Sequence, residues 1–162
     1  MQEVLQSGVK WGTVARVQRP LLVGEFDFTL DAKNRVAVPA RLRTEFSGGI
    51  YVTRWYEGSL AGFSPAEFEK YMDEQTRSGP ALSSKVRAQR RFITAGATWQ
   101  ELDRQGRITI PARLLEYASI TREVTIIGVR DHIELWDRAA WAAYIEDTEE
   151  GADAIADELA AT

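Results

Sequence analysis

The chain has 162 residues, room for one domain or two small ones with a real core, and it has no cysteine, which excludes a disulfide framework and thiolate chemistry. Its formal net charge of −4 speaks against a nucleic-acid partner, but residues 146–162, EDTEEGADAIADELAAT, hold seven acids and no base, so the rest sets 20 bases against 17 acids, a net of +3. A mildly basic body with an acidic tail permits a phosphate backbone as partner. No apolar run approaches the roughly 20 residues of a membrane span and no signal-peptide stretch opens the chain, so a cytoplasmic protein without a membrane partner is expected.

In chain order, FDFTL (26–30) and RVAV (35–38) alternate as strands around DAKN, a turn whose Asp and Asn suit turn geometry. Pro39 fits the first turn of a short helix, PARLRTEF. IYVTR (50–54) and LAGF (60–63) read as two further strands, followed by an amphipathic helix, PAEFEKYMDE, at 65–74. SGPALSSKVRAQRRFITAG then holds a turn and a helix from about Leu82 to Phe92, bearing Lys85, Arg87, Arg90 and Arg91.

The same order then repeats. LDAKNRVAVPARL (30–42) and LDRQGRITIPARL (102–114) are identical at seven of thirteen positions: Leu30/Leu102, Asp31/Asp103, Arg35/Arg107, Pro39/Pro111, Ala40/Ala112, Arg41/Arg113 and Leu42/Leu114. Val36/Ile108 and Val38/Ile110 stay β-branched, Gly24 matches Gly96, and Gly106 stands where the first copy has Asn34, consistent with a positive φ. After one inserted residue the offset becomes 73, through Leu60/Ile133, Phe63/Trp136, Phe68/Trp141 and Tyr71/Tyr144. The second copy supplies PARLLEYA as its helix and VTIIGV and IELW as its later strands. Each unit of roughly 50 residues is thus a β-hairpin, a short helix, a second hairpin and an amphipathic helix. Two copies are too few for a solenoid and suit a pseudo-twofold pair. The expected divisions are 1–20 as an extension, 24–71 and 96–145 as the repeats, 72–95 as a helical linker and 146–162 as the tail.

In such a turn the Asp accepts bonds from turn N–H groups, and the Arg four residues on lies across the strand mouth from it. The guanidinium fork is then oriented, and Lys33 and Arg104 project from the tips. Taken singly, such a turn is an Asp–Arg surface pair worth about 0.2–1 kcal/mol. Its repetition with both charges at one spacing argues for more.

The LDxxxR turn followed by an apolar alternation and PAR, present twice, with GATWQELDRQGRITIPARL in the second copy, closely resembles the MraZ family of bacterial transcription regulators, over roughly residues 21–145. The resemblance implies a mainly β fold with short helices (α+β), in which two tandem swapped-hairpin units of the AbrB type form one pseudo-twofold domain. It implies a ring homo-oligomer, often an octamer, that binds double-stranded DNA at short direct repeats upstream of the division and cell-wall gene cluster. Repression of that cluster and of the chain's own gene, at the nucleoid, is the implied outcome. The family's DxxxR motif falls on Asp31 and Arg35, and on Asp103 and Arg107. A two-stranded ribbon fits the major groove, Arg or Lys bonds guanine O6 and N7, and a ring adds weak contacts by avidity. Lys33, Arg35, Arg104 and Arg107 are therefore expected to contact DNA, with Asn34 and Gln105 as further candidates for base-edge bonds. Asp31 and Asp103 are expected to shape the turn without touching phosphate. No cofactor or metal is implied.

Residues 1 to about 20 extend beyond the family pattern, and the expectation is that they are disordered or that translation starts near Leu21. Arg41 and Arg113 suit a salt bridge or a stem packed on the sheet as well as a phosphate contact. The repeat-related aromatic pairs read as a core shared by both units, His132 as a turn residue, and Lys85 to Arg91 as a solvated face or a second phosphate site. An enzyme would need a nucleophile, an acid–base pair or metal ligands beyond one histidine and the turn aspartates, so none is expected. A non-DNA-binding oligomeric scaffold and an antitoxin-type DNA binder on the same hairpin fold are the alternatives.

Overall fold

A computed structural model describes residues 20–77 and 83–162; the expected N-terminal extension up to Arg19 lies outside the described residues. The first unit runs through β1 (Glu25–Thr29), β2 (Arg35–Ala37), a 3-10 helix (Ala40–Phe46), β3 (Ile50–Arg54) and β4 (Leu60–Phe63). Helices α1 (Pro65–Arg77) and α2 (Ser84–Gly96) follow. The second unit comprises β5 (Thr98–Gln100), β6 (Arg107–Thr109), α3 (Ala112–Tyr117), β7 (Glu123–Gly128) and β8 (Ile133–Asp137), and ends in α4 (Arg138–Ala161). Pro39 and Pro111 stand one residue before their helical turns, as N-caps with φ of −51° and −58°, where the missing N–H costs nothing.

β1 and β2 flank the predicted turn, yet they do not form a ladder with each other. β1 pairs antiparallel with β7, setting Phe26 opposite Ile126 and Phe28 opposite Val124. β5 likewise pairs with β3, and β2 pairs with β6, setting Val36 opposite Ile108. Each arm of a turn is thus given to the other unit, which is what a swapped hairpin means. Local alternation identifies a strand but carries no information on its partner, so the expected first hairpin of each unit is corrected to a turn with exchanged arms. The second hairpins, β3–β4 and β7–β8, pair as predicted.

The result is an antiparallel six-stranded sheet in the order β1-β7-β8-β4-β3-β5, with a separate two-stranded ribbon, β2–β6. The repeat offset of 72 carries Val36 onto Ile108, and these two face each other in the ribbon. The offset of 73 carries Ala61 onto Glu134, and these face each other where β4 meets β8. A pseudo-twofold axis therefore passes through both pairs.

Alternation along the strands gives the sheet two different faces. Ile50 and Val52 of β3 turn toward the ribbon and join Val36, Val38, Ile108 and Ile110 in the larger core, while Tyr51 turns to the smaller cluster on the other face. The four ribbon residues are at most 1 % exposed, and each contributes roughly 1.5–3 kcal/mol by burial, which pins the ribbon to the sheet. On the other face α1 and α2 close over Trp55, Phe63, Phe68 and Ile93. Among the described residues the second unit has only the start of α4 there, capped by Asp137, whose carboxylate accepts from the Ala140 N–H at 3.1 Å. α4 then continues unbroken, so the acidic tail is its second half, and every residue from Ala152 onward is exposed. The expected divisions at 71/72 and 145/146 fall inside α1 and α4. Among the described residues no helix is long and apolar enough to cross a membrane.

Candidate nucleic-acid interface

Five consecutive residues build each turn. In the first, the Asp31 N–H donates to the Arg35 carbonyl oxygen at 2.9 Å and the Asn34 N–H to the Asp31 carbonyl oxygen at 3.0 Å. Asp31 Oδ1 accepts from the N–H groups of Lys33 and Arg35, both at 2.9 Å, and Oδ2 accepts from Arg35 Nε at 2.7 Å. The second turn repeats the set: Asp103 Oδ1 accepts from the N–H groups of Gln105 and Arg107, and Oδ2 from Arg107 Nε, all at 2.9 Å. Asn34 and Gly106 occupy the position of positive φ, 59° and 76°, which Asn and Gly adopt more readily than other residues. The carboxylate thus satisfies the turn's inward N–H groups and aims an arginine at the same time.

These bonds set the charges. The Arg35 N–H, with the Arg35 guanidinium and the Lys33 N–H, holds the Asp31 carboxyl down to about 2 against the opposing effect of desolvation. The Arg107 N–H and guanidinium lower Asp103 in the same way. Both aspartates are therefore anions at any physiological pH, and each engages only the Nε edge of its arginine. Arg35 and Arg107 remain 30 % and 28 % exposed, and the carboxylate of their own turn leaves their Nη donors unengaged.

The ribbon brings the turns together. Its strands are three residues long, a span of about 10 Å, and antiparallel pairing puts one turn at each end. Arg107 Nη1 also lies 3.6 Å from Asp31 Oδ2, an ion pair that links the turns across the units. Gln100 braces the ribbon, its side chain donating to the Thr109 carbonyl oxygen at 2.7 Å and accepting from the Thr109 N–H at 2.8 Å. Lys33, Arg104 and Gln105 are exposed at the tips, while Asn34 is half-buried.

Other basic residues named from the sequence lie elsewhere. Lys85, Arg87, Arg90 and Arg91 belong to α2, which packs on β3 on the face away from the ribbon, so they do not join the turns. The exposed Arg41 places its guanidinium 5.9 Å from the Phe26 ring centroid, and Arg113 reaches the Gly96 carbonyl oxygen at 3.4 Å, a long and weak contact. His132 is a turn residue by position but is buried. Its ring stacks on Phe63 at 4.8 Å and bonds Asp131 at 2.7 Å and Glu134 at 3.2 Å. Sequence reasoning passed over Arg54, whose Nε and Nη2 hold the Phe92 carbonyl oxygen at 2.9 and 2.6 Å and tie α2 to β3. No spacing in the sequence marks it, because its partner is a backbone atom 38 residues away.

A short antiparallel ribbon with an Asp–Arg turn at each end, seated on a sheet woven from two exchanged repeats, defines a duplicated swapped-hairpin protein with a polar, basic-tipped face. The family described as "MraZ protein, putative antitoxin-like" matches residues 21–91 and 93–161, one match per unit. The chain is 40 % identical over 139 residues to the transcriptional regulator MraZ of Leuconostoc mesenteroides subsp. mesenteroides, covering 86 % of this chain and 96 % of that one. It is 39 % identical, with the same coverage, to the transcriptional regulator MraZ of Oenococcus oeni. The chain belongs to the MraZ family, a family of transcriptional regulators and not of enzymes.

Proposed function

We propose that the chain is a sequence-specific DNA-binding regulator that binds guanine-containing direct repeats upstream of its own operon. It represses the division and cell-wall gene cluster, its own gene included, and works at the nucleoid. Lys33, Arg35, Arg104 and Arg107 contact the DNA, with Asn34 and Gln105 available to base edges. Asp31 and Asp103 hold the turns and stay off the phosphates. The observation that carries this reading is the ribbon with an oriented arginine at each end: a two-stranded ribbon fits a major groove about 12 Å wide, and the Nη donors of these arginines match the O6 and N7 of guanine. A ring of copies, expected as an octamer, multiplies these contacts by avidity.

The test is a binding titration of the protein against duplex DNA from upstream of its own gene and against the same bases shuffled, with the oligomer counted by native mass spectrometry. Binding roughly a thousandfold or more tighter to the native order is expected. Equal affinity for both duplexes contradicts sequence-specific regulation.

A further inference from the structure

The two turns share their hydrogen bonds but not their surroundings. Arg43, half-buried on the 3-10 helix of the first unit, crosses to the turn of the second. Its Nε donates to the Val38 carbonyl oxygen at 2.9 Å, and its Nε, Cζ and Cδ fill the space that a Cβ on Gly106 would occupy. Gly106 is buried with φ +76°, so one arginine uses both the backbone freedom of glycine and its lack of a side chain. The Val38 N–H in turn donates to the Gly106 carbonyl oxygen at 2.9 Å. Arg43, Val38 and the second turn therefore form one bonded unit.

At the pseudo-symmetric place the partners differ. Gly106 corresponds to Asn34, and Arg43 corresponds to Leu115, which is buried and uncharged. The second turn has Arg104, Arg107 and Arg43 beside it, whereas the first has Lys33 and Arg35 of its own and shares Arg107 through the 3.6 Å ion pair to Asp31. Arg43 commits its Nε inward, which leaves Nη1 and Nη2 of a planar fork suited to two oxygens of a phosphate.

Resting on the reading of the turns as a DNA interface, we propose that Arg43 positions the second turn and contacts phosphate, and that this turn is the stronger DNA contact of the two. The test is a salt titration of binding to the chain's own upstream DNA and to a shuffled duplex. Arg43→Gln keeps a donor for Val38 and removes the charge, and Arg43→Lys keeps the charge. Arg43→Gln is expected to bind both duplexes about tenfold more weakly, with the slope of log affinity on log salt shallower by roughly one for each engaged subunit. Arg43→Lys keeps the slope, and Arg104→Ala weakens binding more than Lys33→Ala. A merely structural Arg43 weakens Gln and Lys variants alike at an unchanged slope, which overturns the phosphate contact. Wild-type affinity and slope for Arg43→Gln, alongside a weakened Arg35→Ala/Arg107→Ala variant, overturns the proposal and leaves the DNA interface standing. A wild-type chain that binds neither duplex overturns both.

Discussion

Asp31 and Asp103 accept the same three bonds from the same relative atoms, whereas Phe68 and Trp141, also repeat-related, live in different surroundings. Phe68, on α1, is buried against the sheet of the first unit and stacks on Tyr51 at 4.6 Å. Trp141 is half-buried at the start of α4, its Nε1 donating to Glu25 at 2.6 Å, and nearby Tyr144 is 41 % exposed. A turn is specified by five consecutive residues, so a duplicated segment brings it along whole. An outer face depends on the helices that pack on it: α1 and α2 both pack on the strands of the first unit, while among the described residues the second unit's strands carry the start of α4. The expectation of one aromatic core shared by both units is therefore met in the first and only begun, at Trp136, in the second.

The largest effect that should separate the two outer faces is on stability. Phe63→Ala is expected to cost about 3–5 kcal/mol in chemical denaturation, because Phe63 is 1 % exposed and its cavity is closed by two helices. Trp141→Ala should cost roughly 1 kcal/mol, since solvent already reaches the ring. Equal losses would erase the distinction between the faces. Between the turns the contrast is smaller. Gly106→Ala meets both a φ of +76° and the Arg43 side chain and should cost about 1–2 kcal/mol, while Asn34→Gly should stay within about 0.5 kcal/mol.

Smaller still are the pH effects, and they run in opposite directions. Asp31 titrates lower in the folded chain, about 2 against an ordinary 3.8, so its stabilisation is present above 3.8 and is lost as pH falls through about 2. Asp31→Asn should therefore lose less stability than the wild type across that acid window when both are denatured with urea. His132 is the reverse case: burial opposes its charge, but the carboxylates of Glu134 and Asp131 outweigh it and raise its pKa above 6.5. Its contribution is present below 6.5 and is lost as pH rises through the higher folded value, so His132→Gln should flatten the stability profile on the alkaline side.

Much of this was legible in the residues. β3 and β4 lie where the alternation placed them, at 50–54 and 60–63, and the Asp–Arg spacing announces the turn's internal bonds. Strand partners were not legible, since Phe26 and Phe28 alternate in the same way whether they face β2 or β7. Arg43 was hidden because its counterpart, Leu115, breaks the repeat. His132 reads from the sequence as a turn residue, but its burial does not, because nothing local shows that Phe63, 69 positions earlier in the chain, stacks on it.

The central claim is that the paired Asp–Arg turns grip DNA. The direct measurement is the affinity of the wild type and of Arg35→Ala/Arg107→Ala for the chain's own upstream DNA over a series of salt concentrations, with the oligomer verified intact. A loss of roughly a hundredfold together with a shallower salt slope is the predicted result. Unchanged affinity and slope in an intact oligomer would contradict it.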